Sequence, residues 1–238
     1  MNVVRLNSLA ESMTILWLRV KRNLSQVSDN DENMTARATA MNALETLNQS
    51  LFLALNASPG SPDAILLLAR VAASGTIFMV PAVLLWLWFS GGHQGHRQAL
   101  FCSLSILIAL GLGAICGILW FHPRPFMIPL GHTWITHPAD NGFPSDHGTV
   151  MFSAALALLS ARARAVGILL LLAALAVAWA RIFLGVHFPL DMVGAVFISA
   201  CGVGSAQLVW QGVGRRLTSL CETISKRLFA WLPPRFTP

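Results

Sequence analysis

Long apolar runs dictate what this chain can fold into. From Ala64 to Ser90 the only charged residue is Arg70. Leu100 to Phe121 has none, and neither does Gly148 to Ser160 nor Ala165 to Ala180, which Ile182 to Val186 continues. Leu190 to Trp210 has only Asp191. A helix of about 20 apolar residues crosses the hydrocarbon core of a bilayer. Helices and closed barrels are the only structures that satisfy every backbone N–H and C=O group there. Composition agrees, with 55% of residues hydrophobic and 11% charged, against about 25% charged in soluble domains. The sequence therefore predicts an all-α fold, a polytopic transmembrane helix bundle whose first partner is the lipid bilayer.

Three segments follow from composition. Residues 1–43 form a polar N-terminal extension, with the acidic run Asp29-Asn-Asp31-Glu32 and scattered Arg5, Arg19, Lys21, Arg22 and Arg37. Its apolar part, Met13 to Val20, is too short to span and lacks a small-residue cleavage site. Residues 44–211 are the membrane-embedded domain. It opens on an amphipathic stretch, Ala43 to Asn56, whose polar side carries Asn42, Glu45, Asn48 and Gln49 and which suits a helix lying in the interface. Ser58-Pro-Gly-Ser-Pro62 then breaks the chain. Residues 212–238 form a basic tail on the membrane surface. The formal charge of +6 reads as topology and headgroup attraction. No basic patch is interleaved with stacking aromatics, so nucleic acid is excluded as a partner. Cys102, Cys116, Cys201 and Cys221 show no metal-ligand spacing and read as small buried hydrophobes.

The apolar runs count to five spans, or six if Leu44 to Leu55 also crosses. Threading five spans brings His122, His147 and the Arg181–Asp191 stretch out on one face. The opposite face receives Arg97, Arg162, Arg164 and the basic tail, which the positive-inside rule places in the cytoplasm. Five spans leave the partly basic N-terminal extension outside; a sixth would remove that conflict.

The polar residues on the other face form three clusters: His122-Pro-Arg124-Pro125, Phe143-Pro-Ser145-Asp146-His147, and Arg181 through His187 to Asp191. Arg124, between two prolines, either snorkels to headgroups or presents a fixed guanidinium to a phosphate, whose oxygens match its planar fork. Ser145 reads as a helix N-cap. The backbone N–H groups from Asp146 onward, beside a serine hydroxyl, make an anion site. His147 in the first turn is placed to donate a proton to a leaving oxygen. Pro189 opens the next helix and puts Asp191 in its first turn, four residues after His187. A carboxylate there can accept from one ring nitrogen and orient the other as a nucleophile. A lone His-x-x-x-Asp pair would read as an interfacial hydrogen bond. Charged groups at membrane depth, however, default to function, and here two arginines, two histidines, a serine and an aspartate converge. They suit phosphoryl transfer without a metal, since no carboxylate cluster is available for Mg²⁺ and no histidine set has structural-zinc spacing. No cofactor is implied.

These residues resemble the type 2 phosphatidic acid phosphatase superfamily. That family's signature joins a lysine separated by six residues from Arg-Pro, a Pro-Ser-Gly-His, and a Ser-Arg followed after five residues by His and after three more by Asp. Here the second part reads Pro144-Ser145-Asp146-His147 and the third runs from Ala180-Arg181 to His187 and Asp191. The first keeps Arg124-Pro125, but Gly117 stands where the lysine belongs. The surrounding residues, Ala139-Asp140-Asn141 and Gly185-Val-His187-Phe-Pro-Leu, look like the undecaprenyl-diphosphatases of the bacitracin-resistance type.

The resemblance implies a phosphohistidine mechanism on a polyprenyl diphosphate in a bacterial inner membrane, with the site facing the periplasm or the cell exterior. His187 would be the nucleophile, Asp191 its orienting partner and His147 the acid for the leaving lipid phosphate. Arg124, Arg181, Ser145 and the backbone at Asp146 would hold the phosphoryl oxygens, and His122 would partly cover the missing lysine's charge. Other lipid phosphatases or a lipid phosphotransferase on the same scaffold, and a non-catalytic bacitracin-resistance membrane protein, are the competing readings.

Overall fold

A computed structural model of the chain describes residues 38–229, and every regular element among them is helical. The expectations for the acidic run and for the last residues of the tail, Arg235 included, lie outside the described residues. Helix α1 covers residues 38–55, and from Asn48 onward it belongs to the same compact unit as the rest of the described chain. Within residues 38–47, Thr46 Oγ1 donates to the Asn42 carbonyl. The bundle follows as α2 (Asp63–Ser90), α3 (Gly92–Leu119), α4 (Asp146–Ser160), α5 (Arg164–Phe183) and α6 (Pro189–Leu228). Four of these are long and apolar enough to cross a membrane. Helix α4, at 15 residues, is shorter and lies in the bundle interior.

The bundle is sorted as a membrane protein is. Large apolar side chains such as Phe78, Leu107, Ile118, Phe197 and Leu208 point outward, while small residues pack the helix contacts. A Cβ on Gly202 would stand 2.6 Å from that of Ala109, so α6 and α3 approach at backbone distance. Close approach through small residues is how helices associate when lipid is as apolar as leucine. The same logic reverses the polarity expected for the amphipathic stretch. Asn48 is buried and accepts from the Leu190 backbone N–H at 3.0 Å, whereas Leu51, Leu53 and Leu55 face out. Where the surroundings are lipid, the side that turns inward is the one with a hydrogen bond to make.

Helix α2 is interrupted by a π segment, Val71–Gly75, and a 3₁₀ turn, Thr76–Phe78. The irregularity precedes Pro81, which cannot donate to the preceding turn. It leaves the Ala73 carbonyl to accept from Arg181 Nη1 at 3.5 Å. At the expected tail boundary there is no break, because α6 continues to Leu228.

Hydrogen bonds fix which helix ends meet. Gln98 on α3 donates to the Ala161 carbonyl after α4, and His93 and His96 both reach Glu222 on α6. At the other end, Asn56 joins the His132 and Phe183 carbonyls. Trp134 N–H donates to the Leu184 carbonyl.

Candidate active site

Asp191 is the buried anchor. It lies in the first turn of α6, which Pro189 opens. Its Oδ2 accepts from His187 Nδ1 at 3.1 Å and from the Phe188 backbone N–H at 2.8 Å. Its Oδ1 faces His122 Nδ1 at 3.2 Å. A carboxylate accepts only, so the His187 proton sits on Nδ1 and Nε2 keeps its lone pair. Arg124 Nη1 donates to that nitrogen at 2.8 Å. The arrangement holds one imidazole by both ring nitrogens, with the unprotonated one turned toward a guanidinium.

Arg124 itself is fixed on every side. Nη1 also donates to the Val186 carbonyl at 3.1 Å, Nη2 to the Asn141 carbonyl at 3.0 Å and Nε to Asp140 Oδ1 at 2.8 Å. Arg181 is 3% exposed, and its Nε has no partner among the described residues. Buried polar groups are rarely left unpaired, so this one is available to a ligand. Ser145 is fully buried and caps α4, accepting from Gly148 N–H at 3.4 Å. Its own N–H donates to the Asp191 carbonyl at 3.3 Å, which ties the second cluster to the third.

His147 follows in the first turn of α4, ahead of the apolar run that begins at Gly148. Arg181, His137 and Arg124 all act on it electrostatically. Burial first, then Arg181, His137 and Arg124, push its pKa down to about 4. Burial likewise pushes His187 down to about 4, against the opposing hydrogen bond and charge of Asp191. The site without substrate is thus a pocket of cations and hydrogen-bond donors in which both histidines are neutral near pH 7. That is a receptor for a multiply charged anion.

The structure brings together Arg124, His187, Asp191 and His122 by direct contact, adds Ser145 through the backbone, and sets Arg181 and His147 within electrostatic reach. Asp146 is at the first helical position after the cap. The match to the family model decides the assignment: the PAP2 superfamily matches residues 98–235. The chain belongs to the PAP2 superfamily. It is 40% identical over 195 residues to YbjG of Escherichia coli (strain K12), provisionally named an undecaprenyl-diphosphatase, a match covering 81% of this chain and 96% of that one. It is 32% identical over 117 residues to the undecaprenyl-diphosphatase BcrC of Bacillus subtilis (strain 168), covering 49% and 60%. Among solved structures, LpxE of Aquifex aeolicus shares the fold with a TM-score of 0.54 at 22% identity, covering 68% of this chain and 94% of that one.

Where PAP2 proteins carry the first-motif lysine, Gly117 leaves room for another residue. Asn141 Nδ2 donates to the carbonyls of Gly117 at 3.0 Å and Trp120 at 3.1 Å. Its Oδ1 accepts from His122 N–H at 2.8 Å and Phe143 N–H at 3.3 Å. One amide thereby spends its whole hydrogen-bonding capacity joining the end of α3 to the loop that carries His122 and Arg124. Gly142 packs beside it, where a Cβ would lie 3.3 Å from Asp191 Oδ2.

Sequence reasoning missed the roles of Asn141 and Asp140, though it noted both in the resemblance. It also missed His137, whose ring meets His187 edge to face at 6.2 Å. Burial and the charges of Arg124 and Arg181 hold His137 below the ordinary histidine range, against the Pro138 carbonyl and Asp140. The only sequence signal for it was its place in the polar stretch between the first two motifs.

Proposed function

We propose that this PAP2 protein is an undecaprenyl-diphosphate phosphatase that returns the polyprenyl carrier as its monophosphate for cell-wall synthesis and thereby confers bacitracin resistance. One observation carries it: Nε2 of His187 keeps its lone pair and faces Arg124 in a buried cationic pocket. The names of YbjG and BcrC support the substrate.

In this reading Nε2 of His187 attacks the terminal phosphorus. A P–N bond forms and the bond to the bridging oxygen breaks, its electron pair leaving with the lipid phosphate. His147 protonates that oxygen. Water then attacks phosphorus, His147 takes its proton, and the P–N bond breaks to release orthophosphate and neutral His187. Arg124, Arg181, Ser145 and the N–H groups opening α4 hold the equatorial oxygens. Asp191 stabilises the charge His187 develops. Since His122 lies on the other oxygen of Asp191, its role is to steady that carboxylate rather than to add charge near the substrate. The negative charge of a bound diphosphate counters the cations around His147 and raises its pKa, so the acid acquires its proton together with the substrate.

The site would face the periplasm or cell exterior of a bacterial inner membrane, because Arg97, Arg162 and Arg164 belong to the opposite end. The test is phosphate release from undecaprenyl diphosphate in detergent with EDTA, wild type beside His187→Ala. Release by the wild type alone is expected. Equal release from both would overturn the site, and release only with a lipid acceptor present would make the protein a phosphotransferase.

A further inference from the structure

Beside the His187 cluster lies a recess of about 500 Å³, lined by Phe126, Thr133, Trp134, Ile135, Thr136 and His137. His137 is common to both. Its ring meets that of His187 at 6.2 Å, and its side chain is 17% exposed. Nδ1 lies 3.1 Å from the Pro138 carbonyl and 3.9 Å from Asp140 Oδ1. A carbonyl accepts only, so the proton of the neutral ring sits on Nδ1. Nε2 is left without a hydrogen-bond partner among the described residues. The charged and titratable groups around it are Arg124, Arg181, Asp140, His147 and His187.

We propose that His137 binds, through Nε2, the substrate phosphate that stays on the lipid, and that the recess holds this phosphate and the first isoprene units. The inference rests on the diphosphate reading above. The residues of the family signature are all engaged by the phosphate under attack, and none is left for a second one. The recess supplies what that second phosphate needs: two threonines and a histidine, beside the apolar walls of Phe126, Trp134 and Ile135 that suit an isoprenoid. Donation through Nε2 requires a protonated ring. Burial, Arg124 and Arg181 oppose that in the substrate-free site, and a bound diphosphate outweighs the two arginines. Diphosphate binding therefore takes up a proton on His137. A single phosphate, seated between the arginines, leaves the recess empty.

The probe is inorganic diphosphate against orthophosphate, with affinities measured by calorimetry on the full chain in detergent. The variants are His137→Ala and His137→Asn, the second keeping a donor for the Pro138 carbonyl. The wild type is expected to bind diphosphate at least about tenfold tighter than orthophosphate. Each variant is expected to bring the two within about twofold by weakening diphosphate alone, and to take up less proton on binding, measured across buffers, than the wild type, the uptake at His147 remaining. An unchanged ratio, or an equal loss for both anions, would overturn the proposal. Failure of the substrate reading looks different: the wild type would bind diphosphate selectively yet release nothing from undecaprenyl diphosphate.

Discussion

A Cβ on Gly117 would stand 2.9 Å from Nδ2 of Asn141, so the two positions are filled jointly. A lysine at 117 and the asparagine bridge exclude each other. Gly117→Lys is therefore expected to lower phosphate release at least about tenfold, even though it rebuilds the family signature. A displacement of about 1 Å in a catalytic group can cost about a hundredfold, and Arg124 hangs on the Asn141 carbonyl. Asn141→Ala should lower activity comparably while admitting the lysine. The double variant recovering activity over either single one, in steady-state assays, would establish the exclusion.

The pH dependence follows from His187. Attack needs its lone pair, and its pKa of about 4 means that Nε2 stays unprotonated down to about that pH. The limb of the kcat/KM profile that belongs to His187 should fall near pH 4 rather than near 6.5. Asp191→Asn removes the hydrogen bond and charge that raise this pKa, so the limb should move lower still. The maximal rate should drop by roughly ten-thousandfold, because the tautomer and orientation of the ring are lost. A limb that stayed near 6.5 would mean that His187 is not the titrating nucleophile.

His147 must carry a proton at the moment the lipid phosphate leaves. Its pKa of about 4 belongs to the site without substrate. The alkaline limb of kcat, which reports the enzyme–substrate complex, should lie well above pH 4, and higher for a diphosphate than for a monophosphate ester. His147→Gln should remove that limb and slow release by roughly a hundredfold or more. An alkaline limb unchanged in the variant would assign the acid elsewhere.

His122→Gln separates two roles. If His122 steadies Asp191, whose Oδ1 it faces at 3.2 Å, kcat should fall by about tenfold with KM unchanged at every pH. If it adds charge to the substrate, KM should rise and lose its pH dependence. The contact with Asp191 leads us to expect the first.

The apolar runs and the three clusters were legible because each follows from a local rule. Uncharged runs of sufficient length have one fate in a bilayer, and Ser145, Pro189 and Asp191 take positions that helix starts dictate. What was not legible depends on contacts between distant segments. Asn48 reads as the wet side of an amphipathic stretch until Leu190 supplies its donor. His137 belongs to no motif, and only the loop's fold lays it against His187. The carbonyl that receives Arg181 exists because α2 is irregular at Ala73, a feature that Pro81 hints at but does not position. The length of α6 was hidden by its change from an apolar to a charged surface, which alters what surrounds the helix without ending it.

The same holds for the cluster at the far end of the bundle. His96 is 4% exposed, with Nε2 at 2.8 Å from the Trp88 carbonyl and Nδ1 at 2.8 Å from Glu222 Oε1. Both ring nitrogens thus face an oxygen, one on α2 and one on α6. The ring ties the start of α3 to the end of α6, beside Trp88, which donates to Ser225 Oγ at 3.1 Å. His96→Leu keeps the volume but leaves the Trp88 carbonyl without this donor and Glu222 with His93 alone. It should cost about 2 kcal/mol, seen as a melting temperature several degrees lower in detergent. KM and kcat at the opposite end should not change. A parallel loss of activity in the folded variant would show that the two ends of the bundle are coupled.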